Sequence, residues 1–302
     1  MLQTYRCSPY LRVMSRSIRL RFQNKPRTPM QHLQRNAGTI SKSNAPSDPP
    51  LEAVQKGTIG FGFSAGGLLF PYYVGIMLSL RDELNVLKPE TPVAGASAGS
   101  LVAATAKSGI SEGDLMQATL QLARDCRDNG TRFRLKSVLK KTLEDVLPED
   151  IHERCSGTAH IAVTQVWPRI EPQLISEFQS REDLIETLLV SCHIPWYFDG
   201  SWITGHRDRL ALDGGFTNFL PVPPNCPGVV RVACFPSSQL RAYRNIGISP
   251  DNFEEWPYDM RQMLGWAFQP ASEDFLVYLV DKGKQDARSW AKSHGVINVG
   301  DI

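Results

Sequence analysis

Two short stretches of the chain contain the residues best suited to chemistry. In the first, "GASAGS" at residues 95–100, Ser97 stands between small neighbours. A serine in a G-x-S-x-G turn that leads from a strand into a helix is held strained and exposed, so its oxygen can attack a carbonyl carbon. The same pattern also suits a tight turn packed against a helix. The pentapeptide therefore indicates a nucleophile but leaves this second interpretation open.

The second stretch is "ALDGGFTNFLPV", in which Asp213 follows apolar residues and precedes two glycines. A carboxylate in this position can take the proton of Ser97 directly, provided that the two oxygens lie within about 3 Å of each other. An aspartate in a turn also commonly bonds to its own backbone. The residues alone do not decide between a base and a turn residue.

Histidine is the more familiar base for a serine nucleophile. The order Ser…Asp…His of the α/β-hydrolases requires a histidine late in the chain, and only His294 follows Asp213. His294 lies at a polar helix end, where histidine often satisfies terminal carbonyls. His160 and His206 have the wrong order, and we expect His193 to be structural. An esterase that uses His294 is the competing enzyme hypothesis.

A glycine turn at residues 65–67 precedes the first predicted helix. Backbone N–H groups at a helix start suit an oxyanion. We expect Gly66 and Gly67 to donate to that oxygen, and the N–H of Ala98, at the next helix start, to be a third donor. Residues 60–65 also match the dinucleotide pattern G-x-G-x-x-A, but their glycines fall inside a predicted strand, so we expect no nucleotide there.

Hydrophobic periodicity places these groups at the ends of predicted strands. Strands that alternate with helices imply right-handed crossovers. The sequence therefore predicts an α/β fold with a mostly parallel sheet covered by helices on both faces. The predicted strands cover 58–63, 91–94, 160–166 and the segments "RLALDGG" and "GVVRVACF"; the predicted helices run from Pro71 to about Leu84, from Ala98 to Gly109, after Ser111, over 135–146 and after Ser180.

The first 47 residues differ in composition from the rest of the chain. They contain seven Arg, two Lys and no Asp or Glu. An Arg-rich segment without acidic residues is typical of an organelle transit peptide, and the excess of Arg over Lys slightly favours the mitochondrion over the plastid. The alternative is a disordered basic tail on a protein of the cytoplasm or the lipid droplet. Loss of nine positive charges would change the net charge from +2 to about −7.

Length and charge also bound the domain organisation and the partners. With 302 residues, of which 42% are hydrophobic, the chain suits one globular domain with a tail. We expect a basic transit peptide and disordered linker over 1–56, a catalytic domain over 57–228, and a C-terminal extension over 229–302 that packs on the same domain. A net charge of +2 argues against nucleic acid as a partner.

Membrane contact is expected to be peripheral, because no run of 18 apolar residues occurs in the sequence. The six cysteines form no C-x-x-C pair and no metal-binding spacing, which favours a reduced compartment and no metal site. Four apolar residues near the C-terminus could form a lipid-facing surface or pack into the core. The four are Trp256, Leu264, Trp266 and Phe268. Separately, the Lys-rich segment "RLKSVLKK" could contact anionic lipid or form a solvated helix face.

Four segments in order resemble a known family. They are "FSAGGLLFPYYVGI", "GASAGS", "SCHIPWYF" and "LDGGFTNFLPVPP". Together they closely resemble the patatin-like phospholipases, especially the branch that includes adipose triglyceride lipase and adiponutrin. The likeness covers about Gly57 to Pro227. It implies a three-layer α/β/α sandwich around a mostly parallel central sheet.

The resemblance also implies an activity: hydrolysis of lipid acyl esters at a membrane or lipid-droplet surface, by a Ser–Asp dyad and without a cofactor. It makes Ser97 the nucleophile, Asp213 the base, and the turn at Gly66 and Gly67 the oxyanion hole. Two departures affect the oxyanion loop, since Ala65 and Phe70 stand where the family commonly has glycine. A catalytically silent lipid-binding or regulatory protein is therefore a further alternative.

The dyad has a consequence for pH dependence. An ordinary aspartic acid titrates near pH 4, so we expect activity to persist into mildly alkaline solution and to fall only in acid. The residues do not distinguish triacylglycerol, phospholipid and galactolipid as substrates.

Overall fold

A mixed sheet forms the centre of the fold in the computed structural model, which describes residues 53–54 and 56–296. The predicted transit peptide and most of the predicted linker lie outside the described residues. The strands are β1 (Ile59–Phe63), β2 (Val93–Ala96), β3 (Ala159–Gln165), β4 (Glu171–Ile175), β5 (Thr204–His206), β6 (Arg209–Asp213), β7 (Gly228–Val232) and β8 (Ile246–Ile248).

The larger part of the sheet is parallel, with β8, β7, β1, β2 and β3 as consecutive neighbours. Every residue of β1 is buried. An apolar strand covered on both faces is typical of a parallel sheet between helix layers. The prediction of a mostly parallel sheet is confirmed, since four of the seven strand pairings are parallel.

Strand β3 has three partners, and this arrangement shapes the candidate site. β4 pairs with residues 161–165 along one edge of β3. β2 pairs with residues 159–162, and β6 pairs with residues 163–165. Because a strand has only two edges, β2 and β6 share the second edge and lie end to end along it. β2 runs parallel to β3 and β6 runs antiparallel to it, so the carboxyl ends of β2 and β6 face each other.

Helices cover both faces of the sheet and complete the three-layer α/β/α architecture that the sequence predicts. Ser79–Glu83 continues the first helix as a π-helical turn. The helices are α1 (Phe70–Leu78), α2 (Ala98–Ser108), α3 (Glu112–Asn129), α4 (Leu135–Val146), α5 (Ile151–Cys155), α6 (Arg181–Ser191), α7 (Met260–Phe268) and α8 (Glu273–Ser293).

The last helix, α8, packs closely against α1 through two glycines. A Cβ atom at Gly75 would lie 1.9 Å from the carbonyl oxygen of Val280, and one at Gly283 would lie 2.1 Å from that of Tyr72. Only glycine permits this approach of two helix backbones. The C-terminal helix is therefore part of the core of the fold.

A buried polar group also joins these two helices. The Tyr72 hydroxyl donates to Asp286 Oδ2 at 2.7 Å, and Lys282 Nζ donates to Asp286 Oδ1 at 2.5 Å. Burial raises the pKa of Asp286 to about 6, although both donors favour its ionised form. Because its two oxygens have partners, Asp286 is tolerated in the core.

The predicted lipid-facing surface around α7 is mostly packed against the protein. Trp256, Trp266 and Phe268 are half-buried, and only Leu264 is exposed. The Tyr258 ring lies 5.2 Å from that of Trp256 and 4.9 Å from that of Trp266, measured between ring centroids. Of the two interpretations, packing against the protein therefore describes these aromatic residues, because their rings contact one another in a cluster.

Three further findings concern the described residues. None of their helices has the length and apolar character needed to cross a membrane. Their five cysteines are free thiols. No group of three or more His, Cys, Asp or Glu side chains among them is placed to hold a metal ion.

Candidate active site

Ser97 occupies a sharp turn between β2 and α2, as the G-x-S-x-G pattern predicts. Its backbone has φ +52° and ψ −121°, a left-handed conformation that costs free energy in residues other than glycine. A Cβ atom at Gly95 would lie 2.0 Å from the Gly99 carbonyl oxygen, and one at Gly99 would lie 2.3 Å from the Phe63 carbonyl oxygen. The two glycines therefore allow strand, turn and helix to pack this tightly.

A buried serine that the sequence analysis did not identify holds this turn. The N–H of Ser97 donates to Ser191 Oγ at 3.0 Å, and Ser191 Oγ donates to the carbonyl of Ala162 at 2.7 Å. Ser191 thus connects the turn to β3 from the end of α6. In the sequence, this residue belongs to the apolar end of a helix, and no local pattern marks it.

The end-to-end arrangement of β2 and β6 brings Asp213 to Ser97. Ala96, the last residue of β2, is opposite Ala162 of β3. Asp213, the last residue of β6, is opposite the next residue of β3, Val163. The Ser97 hydroxyl is close enough to favour the ionised form of the Asp213 carboxyl group. The fold therefore brings together two residues that are 116 positions apart in the chain.

The backbone and one oxygen of Asp213 are fixed by hydrogen bonds. Its N–H donates to the His193 carbonyl at 2.9 Å, and its carbonyl accepts from Thr164 Oγ1 at 2.7 Å. Oδ1 accepts from the N–H of Gly215 at 2.7 Å. Oδ2 is buried and has no hydrogen-bond partner among the described residues. Oδ2 is therefore available to accept a proton.

Burial changes the acidity of Asp213. Only 4% of its surface is exposed. Burial raises its pKa to about 7, and the Ser97 hydroxyl and the Gly215 N–H lower the pKa only in part. The sequence-based expectation of a carboxyl that titrates near pH 4 is therefore wrong. An isolated carboxylate loses its hydration when it is buried, which favours the protonated form.

The histidines considered as bases have other partners. His294 Nδ1 lies 2.7 Å from the Trp290 carbonyl oxygen at the end of α8, and His206 Nε2 lies 2.9 Å from Thr187 Oγ1. Among the described residues, no imidazole is one of the groups that shift the pKa of Asp213. The structure thus does not assemble the triad of the competing hypothesis.

The predicted oxyanion turn lies beside the Asp213 turn. A Cβ atom at Gly215 would be 2.9 Å from Cβ of Ala65. Gly67 has φ +55°, and a Cβ atom there would lie 2.2 Å from the Ala267 carbonyl oxygen of α7. Gly66, the cap of the turn, has the Cys234 sulfur 2.6 Å from its own Cβ position. Close packing on both sides requires glycine at positions 66 and 67.

The third predicted donor, Ala98, is the first residue of α2. The first N–H groups of a helix have no acceptor within the helix. α2 contacts the short 3-10 turn Gly67–Leu69, so both predicted donor segments belong to one neighbourhood. The family departure at Phe70 falls at the start of α1, where its N–H donates to the carbonyl of Gly67. Phe70 therefore lies directly after the turn that contains Gly67 and is not part of it.

Comparison with known proteins gives the family of this chain. The sequence profile described as "Patatin-like phospholipase" matches residues 63–225, which is more than half of the chain and includes Ser97 and Asp213. The chain therefore belongs to the patatin-like phospholipase family. This membership connects the chain with lipid metabolism in general.

Individual relatives match part of the chain. Human patatin-like phospholipase domain-containing protein 4 is 35% identical over 175 residues, which cover 55% of this chain and 68% of the relative. Mouse 1-acylglycerol-3-phosphate O-acyltransferase Pnpla3 is 32% identical over 166 residues, 53% of this chain and 40% of the relative. VipD from Legionella pneumophila, a crystal structure, aligns with 12% identity and a TM-score of 0.40 over 78% of this chain and 67% of that one.

Proposed function

We propose that this protein is a lipid acyl hydrolase, with Ser97 as the nucleophile and Asp213 as the general base. One observation carries the proposal: β2 and β6 meet end to end on β3, so the Ser97 turn faces a buried carboxyl whose Oδ2 is unpaired among the described residues. A serine that has a base within reach is the arrangement that nucleophilic catalysis requires.

In the first half of the cycle, ionised Asp213 takes the proton of Ser97 while the serine oxygen attacks the ester carbonyl carbon. The N–H groups of Gly66, Gly67 and Ala98 stabilise the negative charge on the carbonyl oxygen. The C–O bond to the alcohol then breaks, and the proton on Asp213 passes to the departing alkoxide. The products are a free alcohol and an acyl-enzyme.

In the second half, water attacks the acyl-enzyme and gives a proton to the same carboxylate. The bond between the acyl carbon and the Ser97 oxygen breaks, the proton returns to that oxygen, and a fatty acid leaves. Each step uses protein groups and water, so the proposal requires no metal and no organic cofactor.

The test is covalent labelling of the full chain with a fluorophosphonate, followed by incubation with neutral lipids, phospholipids and galactolipids and identification of the released acids. We expect labelling and fatty-acid release, and loss of both in Ser97→Ala. Asp213→Asn should lower turnover by at least about a hundredfold, because the base is lost. A folded wild-type protein that neither reacts nor releases fatty acid would indicate the lipid-binding or regulatory alternative.

Acyl transfer is a second candidate, favoured by the similarity to a relative named as an acyltransferase and by the burial of Ser97 and Asp213, which are 5% and 4% exposed. A site closed to water favours attack by a lipid alcohol on the acyl-enzyme. When a lysophospholipid is added to the assay, a transferase would form the diacyl product at the expense of free fatty acid. A hydrolase would release the same amount of fatty acid as before.

For localisation, we propose that residues 1–56 direct the protein to an organelle, the mitochondrion before the plastid. The support is the acid-free, Arg-rich composition of the first 47 residues. These 56 residues fused to a fluorescent protein should bring it to mitochondria. A diffuse signal, or one on lipid droplets, would contradict this proposal.

A further inference from the structure

We infer that three exposed rings, those of Phe133, Trp196 and Trp202, form the surface by which this protein docks on an anionic phospholipid membrane. We call these three residues the aromatic surface. The inference rests on the proposed function, because it supplies the route to a lipid substrate. The exposed fractions of the three residues are 52%, 49% and 55%.

Two segments of the chain combine to form the aromatic surface. The Trp196 and Trp202 ring centroids lie 5.8 Å apart. The N–H of Phe133 donates to the carbonyl of Tyr197 at 2.7 Å, and the Phe133 ring lies 3.4 Å from the Cβ position of Gly200. The rings thus form one patch, although Phe133 belongs to the loop before α4 and the tryptophans follow α6.

The backbone holds two of these rings outward in a strained conformation. Phe133 has φ +69° and Trp196 has φ +64°, values that bulky residues rarely adopt. Two hydrogen bonds maintain these backbone conformations. The Phe133 N–H donates to the Tyr197 carbonyl at 2.7 Å, and the Trp196 N–H donates to the Ser201 carbonyl at 2.9 Å. Core packing does not explain the strain, since both side chains are about half exposed. Backbone strain of this kind is concentrated at functional and ligand-contacting sites.

The charge around the aromatic surface fits an anionic partner. Residues 131–141 contain five Arg and Lys residues and no acidic residue, and the one acidic residue in 194–203 is Asp199. Two of the five cations have acidic partners outside both segments: Arg134 pairs with Asp125 at 3.1 Å and Lys140 with Glu144 at 3.7 Å. Asp199 is paired with Lys136 at 3.0 Å, and the Arg132 guanidinium carbon lies 4.6 Å from the Phe133 ring centroid. Exposed aromatic rings beside a segment rich in Arg and Lys are characteristic of surfaces that bind the headgroup region of anionic membranes.

The aromatic surface is connected with the candidate active site on two sides. The Tyr197 ring packs against Phe268 at 5.3 Å, and the neighbouring Ala267 carbonyl adjoins the Gly67 turn. Three residues before Trp196, the His193 carbonyl binds the N–H of Asp213. A membrane bound at this surface would therefore lie beside the elements that frame the site.

The chain offers a matched control at another exposed aromatic residue. Trp167 and Ile170, in the turn between β3 and β4, are 68% and 73% exposed. Neither has a positive φ. This turn contains one cation, Arg169, between β3 and the acidic residue Glu171. It is therefore an exposed apolar site without the strain and the charge that characterise the aromatic surface.

The test measures binding of the full chain to phosphatidylcholine vesicles with and without phosphatidylglycerol, for wild type, Phe133→Gly/Trp196→Gly and Trp167→Ser. The glycine variant should remain folded, because glycine relieves the positive φ at both positions. We expect it to bind phosphatidylglycerol vesicles at least about tenfold more weakly. Trp167→Ser should bind like wild type. The basic N-terminal segment is present in all three proteins, so differences report the substituted residues.

Equal vesicle binding by wild type and the glycine variant would overturn the inference, and so would a loss confined to Trp167→Ser. Self-association of wild type that the glycine variant lacks, with vesicle binding unchanged, would assign the surface to a second copy of the chain instead. If the glycine variant does not fold, Trp202→Ser provides the same comparison. Labelling by fluorophosphonate and hydrolysis of a short soluble ester report the proposed function separately, since neither requires docking.

Discussion

At the scale of single residues, the role proposed for Asp213 combines two opposing requirements. A general base must be ionised, whereas burial favours the protonated carboxyl. The pKa of about 7 results from this competition. A buried carboxyl with a pKa near neutrality is well matched to proton transfer at neutral pH. The same burial has consequences for the pH dependence of activity and of stability.

The first prediction concerns activity. In the free protein, kcat/KM for a short soluble ester should rise as pH increases through about 7 and remain level above it, because only ionised Asp213 accepts the Ser97 proton. The measurement is a pH–rate profile, and substitution of His294 by Ala should leave its midpoint unchanged. A profile that is flat from acid to alkaline pH would exclude Asp213 as the base.

The second prediction concerns stability. The pKa of Asp213 is about 7 in the folded protein and about 4 in the unfolded chain. Between these two pH values the folded state binds more protons than the unfolded state, so the stability of the fold falls as pH rises. Asp213→Asn removes this penalty. Urea unfolding should show the variant more stable than wild type at pH 8, by at most about 4 kcal/mol, and hardly different at pH 4. A variant less stable than wild type at pH 8 would contradict the burial argument.

The third prediction concerns Ser191. Ser191→Ala leaves the buried N–H of Ser97 without an acceptor, which should cost about 1–3 kcal/mol of stability and slow fluorophosphonate labelling. Ser100→Ala is the matched control: it removes a donor to the Ser97 carbonyl, but that carbonyl still accepts from the Ser100 N–H at 2.8 Å. Equal labelling rates for both variants would show that Ser191 does not position the turn.

At the scale of elements, the site depends on the relative lengths of neighbouring strands. β3 has seven residues and β2 has four, so β3 extends beyond the end of β2. β6 pairs with this extension from the opposite direction. The space at the end of the short strand β2 is thus filled by β6. The carboxyl ends of these two strands, next to Ser97 and at Asp213, meet there.

The fourth prediction concerns the contact of α7 with the oxyanion turn. Gly67→Ala combines a left-handed φ with a Cβ 2.2 Å from the Ala267 carbonyl oxygen, so the turn must shift. Displacement of a donor to the oxyanion should lower kcat by roughly a hundredfold or more, measured on a soluble ester. Gly265→Ala, within α7, meets nothing within 4 Å and should retain activity. Unchanged turnover in Gly67→Ala would remove this turn from the proposed oxyanion hole.

At the scale of the whole molecule, the region that matches the family profile is smaller than the folding unit. The match ends at residue 225, before β7 begins. β7 pairs with the central strand β1, and α8 packs on α1 through Gly75 and Gly283. The C-terminal segment therefore completes the sheet and one helix layer.

The fifth prediction follows from this arrangement. A chain of residues 57–228 should be insoluble or lack cooperative unfolding, because β1 loses a neighbour on one edge and the apolar face of α1 is exposed. Expression of this fragment beside the full chain, followed by thermal unfolding, provides the measurement. A soluble fragment with a cooperative transition would show that the C-terminal segment is dispensable.

Much of the local structure was predictable because its signals are local. α4 begins and ends at the predicted residues, since apolar residues recur in it at helical spacing. Ser111 and Ser180 cap their helices as predicted, and each accepts the N–H of an aspartate three residues later. The turn that carries Ser97 was predictable for the same reason, because its glycines are adjacent in the chain.

β4, β5 and β8 were not predicted from the sequence, and neither was the antiparallel direction of β6. β4 and β5 are short and at most half-buried, so they lack the continuous apolar run of a central strand. The direction of β6 depends on its pairing with β3, some 50 residues earlier in the chain, and no local pattern records such a pairing. Ser191 and the aromatic surface were missed because their partners are distant in sequence.

The sequence by itself determined the strand–turn–helix at Ser97 and the acidic turn at Asp213, because short-range sterics and periodicity suffice for them, and it carried the four segments that resemble the family. Only the tertiary structure decided that these two residues meet, that burial raises the pKa of the Asp213 carboxyl to about 7, and that Trp196 is exposed while Trp256 packs against Tyr258. The physical reason is that strand register and burial depend on all surrounding segments together. The chemistry of a side chain follows from that environment as much as from its type.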